Sequence, residues 1–230
     1  MLNVFKTADL VAAGWFAAVW ILYGLALEHP RLARHSLNGR MDAFRRRWMQ
    51  RMIEREVRIL DSTVMASLQN GTAFFASTAL IALGGSLSLL RSSDEAVAIF
   101  STLPLSVETV REAWEMKVIG LSIIFAYAFF KFAWAYRVMN YVAILIAATP
   151  NSTDGSDPEA QAMAARAAAM NMAGGGHFNR GQRAFFLALG YLGWFVSPYV
   201  FMVSTTAVLA IMVRRQFASA ALRALDASKD

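Results

Sequence analysis

Apolar residues in this chain gather into long runs broken by short polar stretches. Four runs reach the roughly 20 residues that a helix needs to cross a hydrocarbon core. They cover about residues 7–27, 63–90, 118–137 and 184–213. With no internal repeat and no sign of a second folded body, the pattern predicts one integral membrane domain over residues 1–230. The predicted fold class is all-α: a polytopic membrane helical bundle of about four transmembrane helices, with long helices extending into the cytoplasm. The first run is longer than a signal-peptide core, has only Lys6 ahead of it and no small-x-small cleavage site behind it. It therefore reads as a retained helix.

Between the first two runs the pattern predicts a cytoplasmic helix over about residues 41–62. At about 100° per residue, Arg47, Arg51, Arg55 and Arg58 fall in one sector, while Trp48, Met49, Met52, Ile53, Ile59 and Leu60 cover the other side. The basic sector suits solvent, anionic headgroups or a partner. No proline interrupts this stretch, and no glycine occurs before Gly71. The helix is thus expected to run on into the second span, a rod of about 75 Å from Met41 to Leu90 unless it bends near Asp61. Along that span Ser62, Ala66, Asn70, Ala73, Ser77, Gly84 and Ser88 share one face, the pattern of a close helix–helix seam in lipid. The other reading of the face is a pore-lining polar path with Gln69 and Asn70 at its cytoplasmic end.

The apolar continuation Val138–Ala148 is expected to pack on the apolar side of the 41–62 helix. A linker is predicted over about residues 149–182, holding a short alanine-rich helix at Ala160–Ala173 and a flexible stop at Gly174-Gly175-Gly176. Pro198 should kink or interrupt the last run.

Composition agrees with this picture. The chain is 57% hydrophobic with a mean hydropathy of +0.42, too apolar for an ordinary soluble domain. The absence of cysteine excludes disulfides, thiolate metal sites and cysteine nucleophiles. Nine arginines between Arg31 and Arg58 place their segment in the cytoplasm by the positive-inside rule. With Arg166, Arg180 and Arg183 the inner side carries twelve basic residues against eight outside, although Arg214, Arg215, Arg223 and Lys229 pull the other way. The expected location is the bacterial inner membrane, multi-pass, with both termini periplasmic. Most of the net charge of +6 is accounted for by this asymmetry, so nucleic-acid binding is not expected.

Lys131 and Arg137 interrupt the third run, and intramembrane charge is a functional-site hypothesis by default. At their depth both can snorkel or stack on Trp134 and Tyr141, and Asp9 is the nearest carboxylate in any span. No P-loop, dinucleotide fingerprint, HExxH or Gly-x-Ser-x-Gly motif is present. His29, His35 and His177 all fall in predicted cytoplasmic loops, where a three-histidine metal site is the minor reading, and none lies within a span to ligate haem or chlorophyll; no cofactor or metal is expected and no catalytic residue is assigned.

The run Trp48–Asp61 followed by Asn70–Leu80, together with Phe178–Phe195, resembles an uncharacterised family of bacterial and plant four-helix membrane proteins, a domain of unknown function. That resemblance covers about residues 5–215 and implies an integral membrane protein with no catalytic residues to carry over. It also implies that Arg51, Arg55, Arg58, Asp61, Asn70, Asn179, Arg180 and Arg183 belong to motifs of unknown role. Three functional readings follow, in this order. The first is a structural or accessory subunit that self-associates or attends a larger membrane complex, in contact with anionic lipid. An oligomeric channel or transporter for anions comes second, and a lipid-active enzyme third.

Overall fold

A computed structural model describes residues 5–102, 110–152 and 154–226. Among these residues the chain is all-α. In order, the helices are α1 (Thr7–Glu28), α2 (Pro30–Ala33), α3 (Leu37–Met52), α4 (Ile59–Ser88), α5 (Ser93–Ser101), α6 (Arg111–Ala148), α7 (Pro158–Tyr191), a 3-10 turn (Leu192–Phe195), α8 (Pro198–Phe217) and α9 (Ala220–Asp226). Four helices, starting at Thr7, Ile59, Arg111 and Pro198, are long and apolar enough to cross a membrane.

The described chain divides into two compact units, to both of which α4, α6 and α7 contribute. Among the described residues, one unit comprises residues 5–37, 79–102, 110–127 and 182–226. Here α1 packs on α8 and the end of α7 through Val19, Tyr23, Leu187 and Met212, all buried. Phe16, Tyr191, Trp194 and Phe201 form an aromatic cluster beside them, with Trp194 and Phe201 stacked at 4.9 Å. Glycines permit the close approach of α7 and α8: a Cβ at Gly190 would stand 3.1 Å from the Thr205 backbone, and one at Gly193 2.9 Å from the Val200 carbonyl. The chain reverses at Val196–Ser197, where the Ser197 hydroxyl accepts from the Val200 amide at 3.2 Å and Pro198 occupies the first turn of α8. The predicted interruption at Pro198 is therefore a full helix start. Residues 184–195 continue α7 and its 3-10 turn, so the fourth apolar helix begins at Pro198 rather than near residue 184.

The other unit comprises residues 38–78 and 128–181. It is a bundle of α3, the first part of α4, the last part of α6 and the first part of α7, around buried Met49, Met52, Ile53, Met65, Met139, Val142 and Ile146. Ala160, Ala164, Ala167 and Ala168 bring α7 close against this core. The expected packing of Val138–Ala148 on the apolar side of the preceding segment is present for Met49, Met52 and Ile53, whereas Ile59 and Leu60 of that side are exposed on α4.

Two expectations are corrected here. The helix predicted over residues 41–62 is broken: α3 ends at Met52 and α4 begins at Ile59, with neither glycine nor proline between them. The chain leaves helical form because its groups find better partners elsewhere; the Ile53 carbonyl, for example, accepts from the Ser152 amide at 3.0 Å. Conversely, Gly174–Gly176 do not stop a helix, and the linker predicted at 149–182 shrinks to the residues before Pro158. α7 runs through the three glycines, and at two of them the missing side chain admits a neighbour: a Cβ at Gly174 would sit 3.3 Å from Val138, and one at Gly175 would overlap the Arg45 guanidinium. Gly181 does the same for the Phe132 ring, 2.7 Å from such a Cβ.

Candidate functional site

The break between α3 and α4 gathers a cluster of charged hydrogen bonds. Arg55 and the Trp48 indole both donate to Oδ1 of Asp61, the indole at 2.6 Å. Asp61 is fully buried, so this carboxylate depends on its two donors to offset the loss of water. Three residues earlier, Arg58 reaches the open end of α6. Its Nη1 donates to the carbonyls of Ile146, at 2.8 Å, and Thr149, and its Nη2 donates to that of Pro150 at 2.8 Å. Ile146 is among the last four residues of α6, whose carbonyls the helix leaves unsatisfied at the negative pole of its dipole, and Thr149 and Pro150 follow directly, so the guanidinium acts as a side-chain cap. Beside this cap lies a cavity of about 720 Å³, with Arg58, Ser62, Gln69 and Asn151 on its polar side and Met65, Ala143 and Ile146 on its apolar side. Further along α4, Gln69 Nε2 donates to Asn140 Oδ1 at 2.6 Å.

The predicted site residues thus separate. Arg47 and Arg51 are exposed on α3, whereas Arg55 and Arg58 are drawn into the hydrogen bonds above. Asn70 is exposed, on the side of α4 away from buried Asp61, Met65 and Thr72. Ser62, Ala66 and Ser77, which share its face by helical period, are exposed as well. In the other unit Gly84 and Ser88 of the same helix are also exposed.

Arg137 is exposed and donates to the Tyr141 hydroxyl at 2.7 Å, with its guanidinium 5.5 Å from that ring. Lys131, Asn179 and Arg180 are half-buried. Lys131 and Arg180 bring positive charge to His177, whose ring meets Trp134 edge-on at 6.3 Å. Burial, and secondarily those two charges, hold the His177 imidazole below its ordinary value of 6.5. Arg183, also half-buried, lies 3.9 Å from Glu28.

The sequence pattern singles out one further polar group, Asp9, but not its partner. Lys117 and Asp9 are both buried, and Lys117 Nζ lies 3.7 Å from Asp9 Oδ1. Lys117 also donates to the Trp194 carbonyl at 3.0 Å, and the Trp194 indole donates to Asp9 Oδ1 at 2.7 Å. Asp9 is therefore taken by Lys117 and Trp194, not left for Lys131 or Arg137. The signal was present, since Asp9 is the single carboxylate in the first apolar run, but Lys117 counts as a loop charge when only hydropathy is read. Among the described residues no three His, Asp or Glu side chains gather as a metal site requires.

A family model described as a protein of unknown function, DUF599, matches residues 11–221. No curated protein and no solved structure matches the chain.

Proposed function

The chain belongs to the DUF599 family of proteins of unknown function, and from that premise we propose that it is a multi-pass inner-membrane protein with a structural role, self-associating through α4. The observation that carries the reading is the outward face of α4 from Ser62 to Ser77. Within the apolar window of this helix only 17% of residues are buried in the molecule, as in the spans starting at Thr7 and Pro198 and against 44% for α6, so α4 is singled out by the small and polar residues it exposes. Its exposed side offers Ala66, Asn70 and Ser77. An amide and a hydroxyl facing lipid have no hydrogen-bond partner there, while small residues on the same line let a second helix approach closely. A second copy of the chain supplies both in one step, because a two-fold axis sets Asn70 against its own equivalent. The nine arginines of Arg31–Arg58 support a cytoplasmic position for that segment, which with four spans puts both termini in the periplasm.

The chain has no cysteine, so single cysteines report cleanly. Ala66→Cys and Ser77→Cys chains should cross-link to dimers in native membranes. Thr72→Cys should not, because Thr72 is buried on the opposite side of α4. Asn70→Leu should weaken association by about 1 kcal/mol, roughly fivefold, in a dilution series in detergent. Absence of cross-links at both exposed positions would count decisively against self-association.

A further inference from the structure

Arg40, Phe44, Arg47 and Arg51 follow one another on α3 at spacings of four, three and four, which sets them on one line of the helix. Met49 and Met52, on the other side, are completely buried in the core. Phe44 is 45% exposed, Arg47 and Arg51 are exposed, and Arg40 is half-buried. We propose that this outer row is a docking face for anionic phospholipid headgroups, Phe44 entering the headgroup layer and Arg47 and Arg51 pairing with phosphate oxygens. It rests on the reading that α4 is inserted in a bilayer.

Charge and chain length select this occupant. From Leu37 to Met52 the helix carries Arg40, Arg45, Arg46, Arg47 and Arg51 against a single acid, Asp42. That acid is engaged by Arg45 at 2.7 Å, on the inner side. The outer row holds no carboxylate, so its field is positive along its whole length. An aromatic ring set among guanidinium groups suits the interface, where the ring enters the acyl boundary and the charges stay at phosphate depth. Seven residue steps separate Met52 from Ile59, a reach of at most about 25 Å. The row is therefore tethered to the end of an inserted α4, and with α3 lying along the surface it comes within the Debye length of about 10 Å over which a negative leaflet potential decays. Arg55 and Arg58 take no part, since their donors already serve Asp61 and the end of α6.

The test uses full-length chains carrying one cysteine at Ala43, which is exposed beside the row. Each chain is reconstituted in nanodiscs of phosphatidylcholine alone or with phosphatidylglycerol, and labelling by a membrane-impermeant maleimide is timed. Labelling should be at least about fivefold slower in the anionic discs, the factor one juxtamembrane arginine supplies. The difference should vanish in high salt and in the Arg47→Gln/Arg51→Gln variant. Equal rates in the two lipids overturn the proposal. So does protection seen in native membranes but in neither disc, which would assign the face to a protein. A Phe74→Cys chain separates the two readings: it should be shielded in both discs. Free labelling there would mean that α4 is not inserted, and both readings would fall together.

Discussion

Lys117 and Asp9 meet from distant parts of the chain, and neither carries a signal of the meeting in its own neighbours. Both are buried, so each depends on the other and on the Trp194 backbone and indole. Removing one partner leaves an uncompensated buried charge, which is costlier than removing both. Lys117→Met should therefore destabilise the protein by about 3 kcal/mol, while the Asp9→Leu/Lys117→Met pair should recover much of that. Thermal unfolding in detergent, followed by tryptophan fluorescence, checks the order. A double variant no more stable than the single one would show that the pair is not coupled. His177 gives a pH dependence of opposite origin. Its imidazole is held below 6.5 chiefly by burial, so the unfolded chain takes up that proton at a higher pH than the folded one does. Stability should fall as pH drops through and below the ordinary histidine range, and stay unaffected by this group above it. His177→Gln should flatten that slope between about pH 5.5 and 7.5, measured by the same melts.

For the elements, the instructive cases are one helix that breaks without a breaker and one that survives three glycines. The stretch from Ile53 to Arg58 contains good helix formers, yet it leaves the helix because Asp61 and the end of α6 compete for Arg55 and Arg58. Local propensity amounts to a few tenths of a kcal/mol per residue, less than a charge-assisted hydrogen bond to a buried acceptor. Arg58→Ala should cost about 2 kcal/mol and fray the last turn of α6. Hydrogen exchange of residues 144–149 should quicken accordingly, while that of α8 stays unchanged. In α7 the order of magnitudes reverses. Glycine costs about 1 kcal/mol in a helix interior, and at Gly174 and Gly175 the packing of Val138, Met139 and Arg45 against the bare backbone offsets it. The Gly-rich stop was misread because a triple glycine signals flexibility only where nothing packs on it.

At the scale of the whole molecule, the α4 cross-linking pattern is the outcome that matters, because it asks whether one chain is the functional unit. The small-residue face was legible from its spacing alone, and so was the basic side of α3. Which side of α4 the molecule covers was not, since that depends on α6 and α7, far along the chain. Arg47, Arg51, Arg55 and Arg58 were legible only as one basic sector, and the last two could not be separated from the first two without the break at residues 53–58. By itself, the amino-acid sequence determined that this protein is helical, that four helices are long and apolar enough for a membrane, and that it belongs to its family. Those properties rest on run length, composition and motif, all of which are local. Only the tertiary structure decided where the helices stop, which of the arginines remain free for a partner, and that Asp9 is held by Lys117. Each of those outcomes is a competition between a local preference and a distant hydrogen-bond or packing partner, and the distant partner wins whenever burial leaves no water to replace it.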